Sequence, residues 1–189
     1  MPQWRPDFDP LHLYFVTTSA HERKHLFEPP TVRRLIADAL DCGRLRRWYR
    51  LFGFVVMPNH VHLLIQCPPE HPLAATMRDL KKHIADRWIR QATALKDEAA
   101  LEAIAAPEGG EGFHVWEKGY MDRDVVSARL MLQKLSYIHK NPCQAHWALA
   151  STPEAYTWSS ARYYLTEEKA IIPVDNAYRL LEEGVRGWE

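Results

Sequence analysis

Two histidines one residue apart have the clearest chemical potential in this chain. His60 and His62 flank Val61 at the start of an apolar run that continues through residues 63–65. Side chains of a β-strand alternate between its two faces, so both imidazoles are expected on the same face of a strand. Burial of an imidazole is costly unless the ring has a partner, and one shared metal ion would serve both rings. The same spacing is also typical of two half-exposed histidines that form hydrogen bonds on a sheet, and it leaves both interpretations open.

A tyrosine and an asparagine four residues apart form the second candidate group. Tyr137 and Asn141 lie in the segment Tyr-Ile-His-Lys-Asn-Pro, at the end of a pattern typical of a helix. Residues four apart share one face of a helix, so a phenol oxygen and an amide oxygen are expected in one site. The alternative is an amphipathic tyrosine at a helix edge followed by an Asn-Pro stop, since a residue before proline disfavours the helical region.

Periodicity along the chain predicts alternating strands and helices that would position these groups. Strands are predicted at residues 12–18, 51–57, 60–66 and 113–116. Helices are predicted from Thr31, as the N-cap, to a point between Gly43 and Trp48, and over residues 72–95 and 124–139. This order predicts an α+β fold of the ferredoxin-like (split βαβ) type, an antiparallel sheet with helices packed on one face.

Length and composition indicate one domain over residues 1–189. A chain of 189 residues, 47% of them hydrophobic, can build one packed core. The Ala-, Glu- and Gly-rich residues 96–112 are expected to form a flexible insertion, and the residues after about 165 a C-terminal extension.

The three cysteines are scattered and favour neither a disulfide framework nor a zinc knuckle. No apolar run reaches the roughly 18 residues of a membrane helix, and the N-terminus lacks a signal-peptide pattern, so we expect a cytoplasmic protein.

The charge of the chain is balanced overall but uneven locally. Its 24 basic and 24 acidic side chains give a formal net charge of zero, which is not typical of a protein that binds DNA tightly and nonspecifically. Binding depends on the local field, however, and basic residues cluster at 44–50 and 81–90. Two solvated helix faces would give the same clusters.

Five blocks of the sequence, taken in order, resemble one known family. The blocks are Tyr14-Phe15-Val16-Thr17, Met57-Pro58-Asn59-His60-Val61-His62, Trp116 through Gly119-Tyr120 with Asp122-Arg123, Tyr137-Ile138-His139-Lys140-Asn141-Pro142, and Trp158-Ser159-Ser160 with Tyr164. The ordered set resembles the HUH single-tyrosine transposases of the insertion-sequence-200 kind, and within them the REP-associated tyrosine transposases. The resemblance covers roughly residues 12–165. The chain departs most from the family in residues 96–112 and after 165.

This resemblance implies a role for each residue of the two candidate groups. His60 and His62 match the paired metal ligands of the family, Asn141 its third, amide-type ligand, and Tyr137 the nucleophile. The implied cofactor is Mg²⁺ or Mn²⁺, although imidazole by itself favours softer ions such as zinc. The implied reaction is metal-dependent, hairpin-directed cleavage and rejoining of single-stranded DNA through a 5′-phosphotyrosine. A monomer is favoured, with a homodimer as the alternative.

DNA contacts are expected from the two basic clusters and from residues in the matching blocks. The candidates are Arg44, Arg46, Arg47, Arg50, Lys81, Lys82, Arg87, Trp116 and Arg123. Tyr120, Trp147 and Trp158 are further aromatic side chains that could stack on unpaired bases, a contact worth ~1–3 kcal/mol per base. Core packing is the alternative role for each tryptophan.

Two other functions fit parts of the pattern. A metal-dependent phosphoesterase that activates water would use the histidines and leave Tyr137 a structural role. A noncatalytic module that binds single-stranded RNA would use the sheet surface, as ferredoxin-like sheets often do, but residues 60–66 contain no Phe, Tyr or Trp. A covalent protein–DNA adduct separates the tyrosine enzyme from both.

Overall fold

The core of the fold is a four-stranded antiparallel sheet. The computed structural model describes residues 8–106 and 110–183. The strands are β1 (Leu13–Ser19), β2 (Arg50–Val56), β3 (His60–Gln66) and β4 (Met121–Val125). Their order is β2-β3-β1-β4, and every neighbouring pair is antiparallel. Helix α1 (Pro30–Leu45) joins β1 to β2, and α2 (Leu73–Leu95) and α3 (Glu98–Ala103) lie between β3 and β4. This is the strand order of two interleaved split βαβ units, so the predicted α+β class is confirmed.

Helices cover both faces of the sheet rather than one. α1 and α2 pack with Tyr14 and Val16 of β1 into the larger of two cores. α4 (Ala128–Lys140) packs with Leu13 and Leu64 into the second core, on the opposite face. The prediction that helices pack on one face is wrong in this detail. β2 and β3 are buried along most of their length, so both faces of the sheet need a cover. None of the helices within the described residues is long and apolar enough to span a membrane.

The fourth strand lies at residues 121–125, not at the predicted 113–116. Residues 113–116 take part only in isolated bridges, such as that of Trp116 with Ala20. β4 contains three charged residues and is largely exposed, so its sequence lacks the apolar alternation that indicates a strand. It pairs with β1 at the edge of the sheet, where charged side chains are tolerated.

Two helix starts also differ from the prediction. α4 begins at Ala128 instead of at 124, because β4 occupies residues 121–125. Ser127 caps this helix, and its side chain accepts a hydrogen bond from the amide of Leu130. α1 begins at Pro30 and no side chain caps it, so Thr31 is not the N-cap. Proline suits the first turn of a helix, since an amide hydrogen there would have no helical partner.

The chain after residue 157 covers the free edge of β2. The amide of Val56 donates to the carbonyl of Trp158, and the amide of Ser160 donates to the carbonyl of Phe54. Two short helices follow, α5 (Ala161–Thr166) and α6 (Ala177–Glu183), and Leu180 of α6 is buried in the second core. An open strand edge is thereby paired, which removes a site of edge-to-edge association.

Residues 96–112, predicted to be a flexible insertion, contain helix α3 and a buried side chain. Ile104 is buried in the larger core, and Ala100 and Leu101 pack against that core. Residues 107–109 lie outside the described part of the chain. The insertion is therefore attached to the core through at least these apolar contacts.

Gly53 lets α4 approach β2 closely. A β-carbon at this position would lie 2.7 Å from Cδ1 of Leu135, a side chain of α4. The register of the β2–β3 pairing is also irregular between Leu51 and Gly53. A glycine within a strand commonly marks such a close approach. The packing of the Leu135 side chain against β2 therefore depends on this residue.

We expect Gly53→Ala to lower the free energy of unfolding by about 1–3 kcal/mol, because the added methyl group overpacks the second core. Leu135→Ala should lower it by ~2–5 kcal/mol, because it leaves a cavity. The double variant should lose less free energy of unfolding than the sum of the two single losses, because the shorter side chain at position 135 leaves space for the methyl group added at position 53. Urea denaturation of the four proteins measures these differences, and strictly additive losses would contradict the close contact.

Candidate active site

β3 presents its two histidines to the face of the sheet that α4 covers. His60 and His62 pair with Ser19 and Thr17 of β1, and their Nε2 atoms are 3.1 Å apart. Burial lowers the pKa of His60 to about 4 and the pKa of His62, which is only 4% exposed, to about 3. Both rings are therefore neutral near pH 7, the form in which imidazole binds a metal ion.

The outer nitrogen of each ring has a hydrogen-bond partner. Nδ1 of His60 is 2.7 Å from Oδ1 of Asn59, and the Asn59 amide nitrogen donates to the carbonyl of Arg23. Because Oδ1 can only accept, His60 carries its proton on Nδ1 and turns the lone pair of Nε2 toward His62. Nδ1 of His62 is 2.8 Å from the hydroxyl oxygen of Thr17, which can donate or accept. Partners of this kind orient the imidazole rings of metal sites.

α4 brings Tyr137 and Asn141 to the same place. The Tyr137 ring meets the rings of His62 and Phe15 edge-on, with centroids 5.2 and 5.8 Å away, and the residue is 42% exposed. Asn141 is buried, with its amide nitrogen 3.5 Å from Nε2 of His62, and its Oδ1 has no hydrogen-bond partner. A buried unpaired oxygen costs free energy, and a half-turn of the amide group exchanges its oxygen and nitrogen. Either orientation keeps a polar atom of Asn141 beside the histidines.

These four side chains open into one cavity of about 560 Å³. Arg23 and Lys134 are the permanently cationic residues of its lining, and Phe15 and Trp147 are its large aromatic walls. None of the described residues that line this pocket is acidic. A concave surface with cations and no carboxylate favours an anionic ligand.

The donor atoms in this pocket fit a divalent metal ion. Two neutral imidazoles are typical ligands of divalent transition metals, and an amide oxygen is a donor that Mn²⁺ and Mg²⁺ prefer. Adjacent ligands of an octahedral ion at ~2.1 Å lie about 3 Å apart, close to the 3.1 Å between the two Nε2 atoms. The unpaired Oδ1 of Asn141 would supply the third donor. Among the described residues no three His, Cys, Asp or Glu side chains cluster as metal ligands. Imidazole and amide donors are neutral, so an ion held by them would keep its charge for an anionic substrate.

One group of predicted DNA contacts lies at the other end of the sheet. Arg50 pairs with Gln66, six residues along β3 from His60 and thus about 20 Å away at ~3.3 Å per residue. Arg44, Arg47 and Arg50, here called the distal arginines, line a second cavity of about 520 Å³. Arg44 and Arg50 form ion pairs with aspartates, whereas Arg47 forms none within the described residues.

Two other predicted contacts have partners within the protein. The Lys81 ammonium donates to the backbone carbonyls of residues 117 and 119, and the Trp116 indole donates to the carbonyl of Lys81. Both side chains thus hold residues 116–119 against α2. The remaining candidates are exposed or half-exposed: Arg46, which lies over the Trp48 ring; Lys82, which pairs with Asp86; Arg87; and Arg123, which lies opposite Phe15 beside the pocket.

Sequence reasoning missed the side chains that orient and surround the candidate groups. Thr17 and Asn59 lie in the matching blocks, but no local pattern gives them a role. Thr17 becomes a candidate only once the β1–β3 register sets it beside His62. Lys134 lies one turn before Tyr137 on α4 and lines the pocket, and its i, i+3 spacing from Tyr137 is the signal that could have found it.

Comparison with known proteins gives one family match and two related structures. Residues 10–141 match the family model described as "Transposase IS200 like". The structure of a REP-associated tyrosine transposase bound to a REP hairpin superposes with a TM-score of 0.61 at 16% identity, over 100% of this chain and 92% of that one. A putative transposase from Deinococcus radiodurans R1 gives a TM-score of 0.47 at 22% identity, over 73% of this chain and 95% of that one. No curated protein matches the chain significantly by sequence. The first of the two structures has the same fold as this chain.

Thr17→Val tests whether the Thr17 hydroxyl orients His62. The substitution keeps a branched side chain of similar size and removes the partner of Nδ1. We expect Mn²⁺ binding at the paired histidines to weaken ~10–100-fold, the usual effect of losing such a partner. Isothermal titration calorimetry measures the affinity.

Thr18→Val is the matched control for that experiment. Thr18 is the next residue of β1 and points to the opposite face, where its buried hydroxyl has no hydrogen-bond partner. Removing an unpaired buried hydroxyl should leave the Mn²⁺ affinity unchanged and the protein equally stable or more stable. Equal Mn²⁺ affinities for the two variants would contradict the role assigned to Thr17.

Proposed function

The chain belongs to the IS200-like transposase family, and on this premise we propose that Tyr137 cleaves and rejoins single-stranded DNA. The observation that carries the proposal is the position of Tyr137, whose part-exposed ring lies in the pocket and contacts His62 edge-on. His60, His62 and Asn141 would hold the divalent ion, Mg²⁺ or Mn²⁺. All four side chains come from one chain, which favours a monomer over a homodimer that shares its sites.

The proposed reaction exchanges a phosphodiester for a phosphotyrosine. The phenol oxygen of Tyr137 attacks the scissile phosphorus, the bond from phosphorus to the 3′ oxygen breaks, and a 5′-phosphotyrosine forms. The phenol proton passes to solvent through the open pocket, and the departing 3′ oxygen takes up a proton to become a 3′-hydroxyl. Attack of a 3′-hydroxyl on the phosphotyrosine reverses these steps and rejoins the strand without ATP.

The surroundings of Tyr137 must favour this attack, because a phenol is a weak nucleophile in neutral water. A bound divalent ion would polarise the phosphate and offset the charge that develops on it. Asn59 and Thr17 hold the two imidazoles so that their Nε2 atoms converge. The tyrosine and the histidines lie on a helix and a strand rather than on loops, so the reacting groups are held in place before DNA binds.

A DNA hairpin with a single-stranded flank is the proposed substrate. The related structure with the same fold was solved bound to a REP hairpin, and the sequence blocks of this chain resemble the same REP-associated branch. The described lining of the pocket contains no acidic residue, which suits a strand of phosphates. An unpaired strand can also turn its scissile phosphate toward Tyr137, so that the leaving oxygen is in line with the attack.

The hairpin stem is assigned to the distal arginines. Of these, Arg50 lies about 20 Å along the sheet from His60, the length of about six base pairs at ~3.4 Å each. Arg123 would contact the strand beside the pocket. Arg46, Lys82 and Arg87 would add nonspecific attraction for DNA, whereas Lys81 and Trp116 would act mainly by holding residues 116–119.

Residues 1–189 are proposed to act as one transposase domain. The insertion at 96–112 contributes Ile104 to the larger core, and the extension after about residue 165 contributes Leu180 to the second core. Both segments therefore stabilise the sheet that holds the histidines.

Tyr137→Phe removes one oxygen and keeps the ring, so the edge contacts with His62 and Phe15 should persist with little loss of stability. Hairpin binding should persist as well. Cleavage and covalent adduct formation should fall by more than ~1000-fold, because no other atom replaces the nucleophile. A labelled hairpin with a single-stranded flank, incubated with Mn²⁺ and run on a denaturing gel, measures the adduct.

Tyr163→Phe is the control, because Tyr163 is a half-exposed tyrosine of α5 outside the pocket. This variant should cut at the parent rate. Tyr164 is less suitable, since its hydroxyl lies 2.6 Å from the carbonyl of Phe52 and accepts a hydrogen bond from the amide of Ala177. If Tyr137→Phe forms the adduct near the parent rate, the proposal is wrong. If the parent protein cleaves DNA without any adduct, the result indicates a phosphoesterase that uses water.

Arg47→Gln should weaken hairpin binding without slowing the cleavage of bound DNA, because Arg47 and Tyr137 line different cavities. Loss of one phosphate contact should reduce the slope of log affinity against log salt by about 1. Fluorescence anisotropy at several salt concentrations measures that slope. Arg162→Gln removes an exposed arginine of α5 that pairs with Glu168, and it should keep the parent slope. If Arg47→Gln keeps it too, the stem does not touch Arg47.

A further inference from the structure

One face of α4 carries a third polar side chain into the pocket. Lys134, Tyr137 and Asn141 follow one another at intervals of three and four residues, so they form one stripe along the helix, and all three line the cavity. Asn141 lies at the end of the stripe beside the histidines, and Lys134 is about 10 Å from it at ~1.5 Å per residue. Tyr137 thus stands between the candidate metal ligands and a lysine.

The ammonium group of Lys134 lies against an aromatic ring and has no ionic partner among the described residues. Its Nζ lies over Phe15, 4.7 Å from the ring centroid, and Phe15 in turn stacks on His62 at 5.3 Å. None of the ion pairs within the described residues includes Lys134. Partial burial and the nearby charge of Arg123 lower the pKa of Lys134. An anionic partner would stabilise the charged form.

Acidic side chains of the neighbouring strand belong to the opposite face of the sheet. Arg123 of β4 stands opposite Phe15 and shares its face, whereas Asp122 and Asp124 stand opposite Val16 and Tyr14, which pack into the larger core. The described lining of the pocket adds no carboxylate. The charged groups around Lys134 on this face are therefore cationic, and the missing counter-charge is that of a ligand.

We propose that Lys134 binds the DNA phosphate next to the scissile one and thereby sets which phosphodiester faces Tyr137. This inference rests on the proposed tyrosine chemistry and adds the residue that positions the strand. The distance between Lys134 and Asn141 exceeds the size of one phosphate group, so the two ends of the stripe suit two successive phosphates. Contact with the Phe15 ring holds the ammonium over the pocket in free protein, which reduces the ordering that DNA binding requires.

Three substitutions separate the charge of Lys134 from its packing. Lys134→Met keeps an apolar stem without the charge, Lys134→Gln replaces the ammonium group with a neutral amide, and Lys134→Arg restores a cation. At saturating hairpin and Mn²⁺, single-turnover adduct formation should slow ~10–100-fold for the Met and Gln variants, because a small misplacement of reacting groups costs up to ~100-fold. Lys134→Arg should recover most of the rate. Lys140→Gln alters an exposed lysine of α4 outside this pocket and should keep the parent rate.

A scan with neutral linkages tests the contact itself. Methylphosphonate linkages replace the phosphates that flank the cleavage site one at a time, and each removes one negative charge. At one flanking position, the neutral linkage should slow adduct formation by the parent protein by about the factor seen for Lys134→Met. The Lys134→Met variant should slow no further at that position, whereas at other positions the two losses should add.

The possible outcomes distinguish this inference from the proposed function. If the parent protein forms the Tyr137 adduct and Lys134→Met matches its rate, the inference is wrong and the proposed function stands. The same holds if the losses add at every linkage. If the parent protein forms no adduct with any hairpin or single strand, the proposed function fails, and the inference fails with it.

Discussion

The antiparallel pairing of β3 with β1 is the interaction on which the pocket depends. It sets Thr17 beside His62 and Ser19 beside His60, and so decides that the Thr17 hydroxyl can hold the His62 ring. Because side chains alternate along a strand, a slip of one residue would turn both histidines toward the face that α1 and α2 cover. The slip is opposed because it would place both histidines in the larger core, which Val61, Leu63 and Ile65 fill with apolar side chains. The hydrophobic effect thus maintains the register, and the register sets the positions of the two imidazole rings.

Helix α4 is the second requirement, and its apolar and polar faces have separate tasks. Leu135 and Ile138 are buried in the second core, which leaves Tyr137 and Asn141 on the side of the pocket. Gly53 permits the close contact that this packing needs. The unpaired oxygen of Asn141 is an exception in a well-packed interior, where buried polar atoms nearly always have partners. Departures of this kind concentrate at functional sites, because a ligand supplies what the free protein lacks.

The uneven placement of charge reconciles a net charge of zero with an anionic substrate. Arg44 and Arg50 are partly neutralised by aspartates, yet they still line a cavity together with Arg47. At the other end of the sheet, the described residues of the histidine pocket include two permanent cations and no carboxylate. Net charge averages over both ends and over the acidic surface elsewhere, so it does not describe either one.

The sequence by itself determined the local elements and the family. Apolar periodicity predicted β3 at residues 60–66 and α2 to within one residue, because burial patterns of this kind need only neighbours in sequence. The shared face of His60 and His62, that of Tyr137 and Asn141, and the ordered blocks of the IS200-like family were readable in the same way. Only the tertiary structure decided that helices cover both faces, that Thr17 meets His62, and that the charged segment 121–125 forms the fourth strand. These features depend on residues far apart in the chain. β4 forms a strand because it pairs with the open edge of β1, and strand pairing, not local pattern, selects Thr17 as the partner of His62.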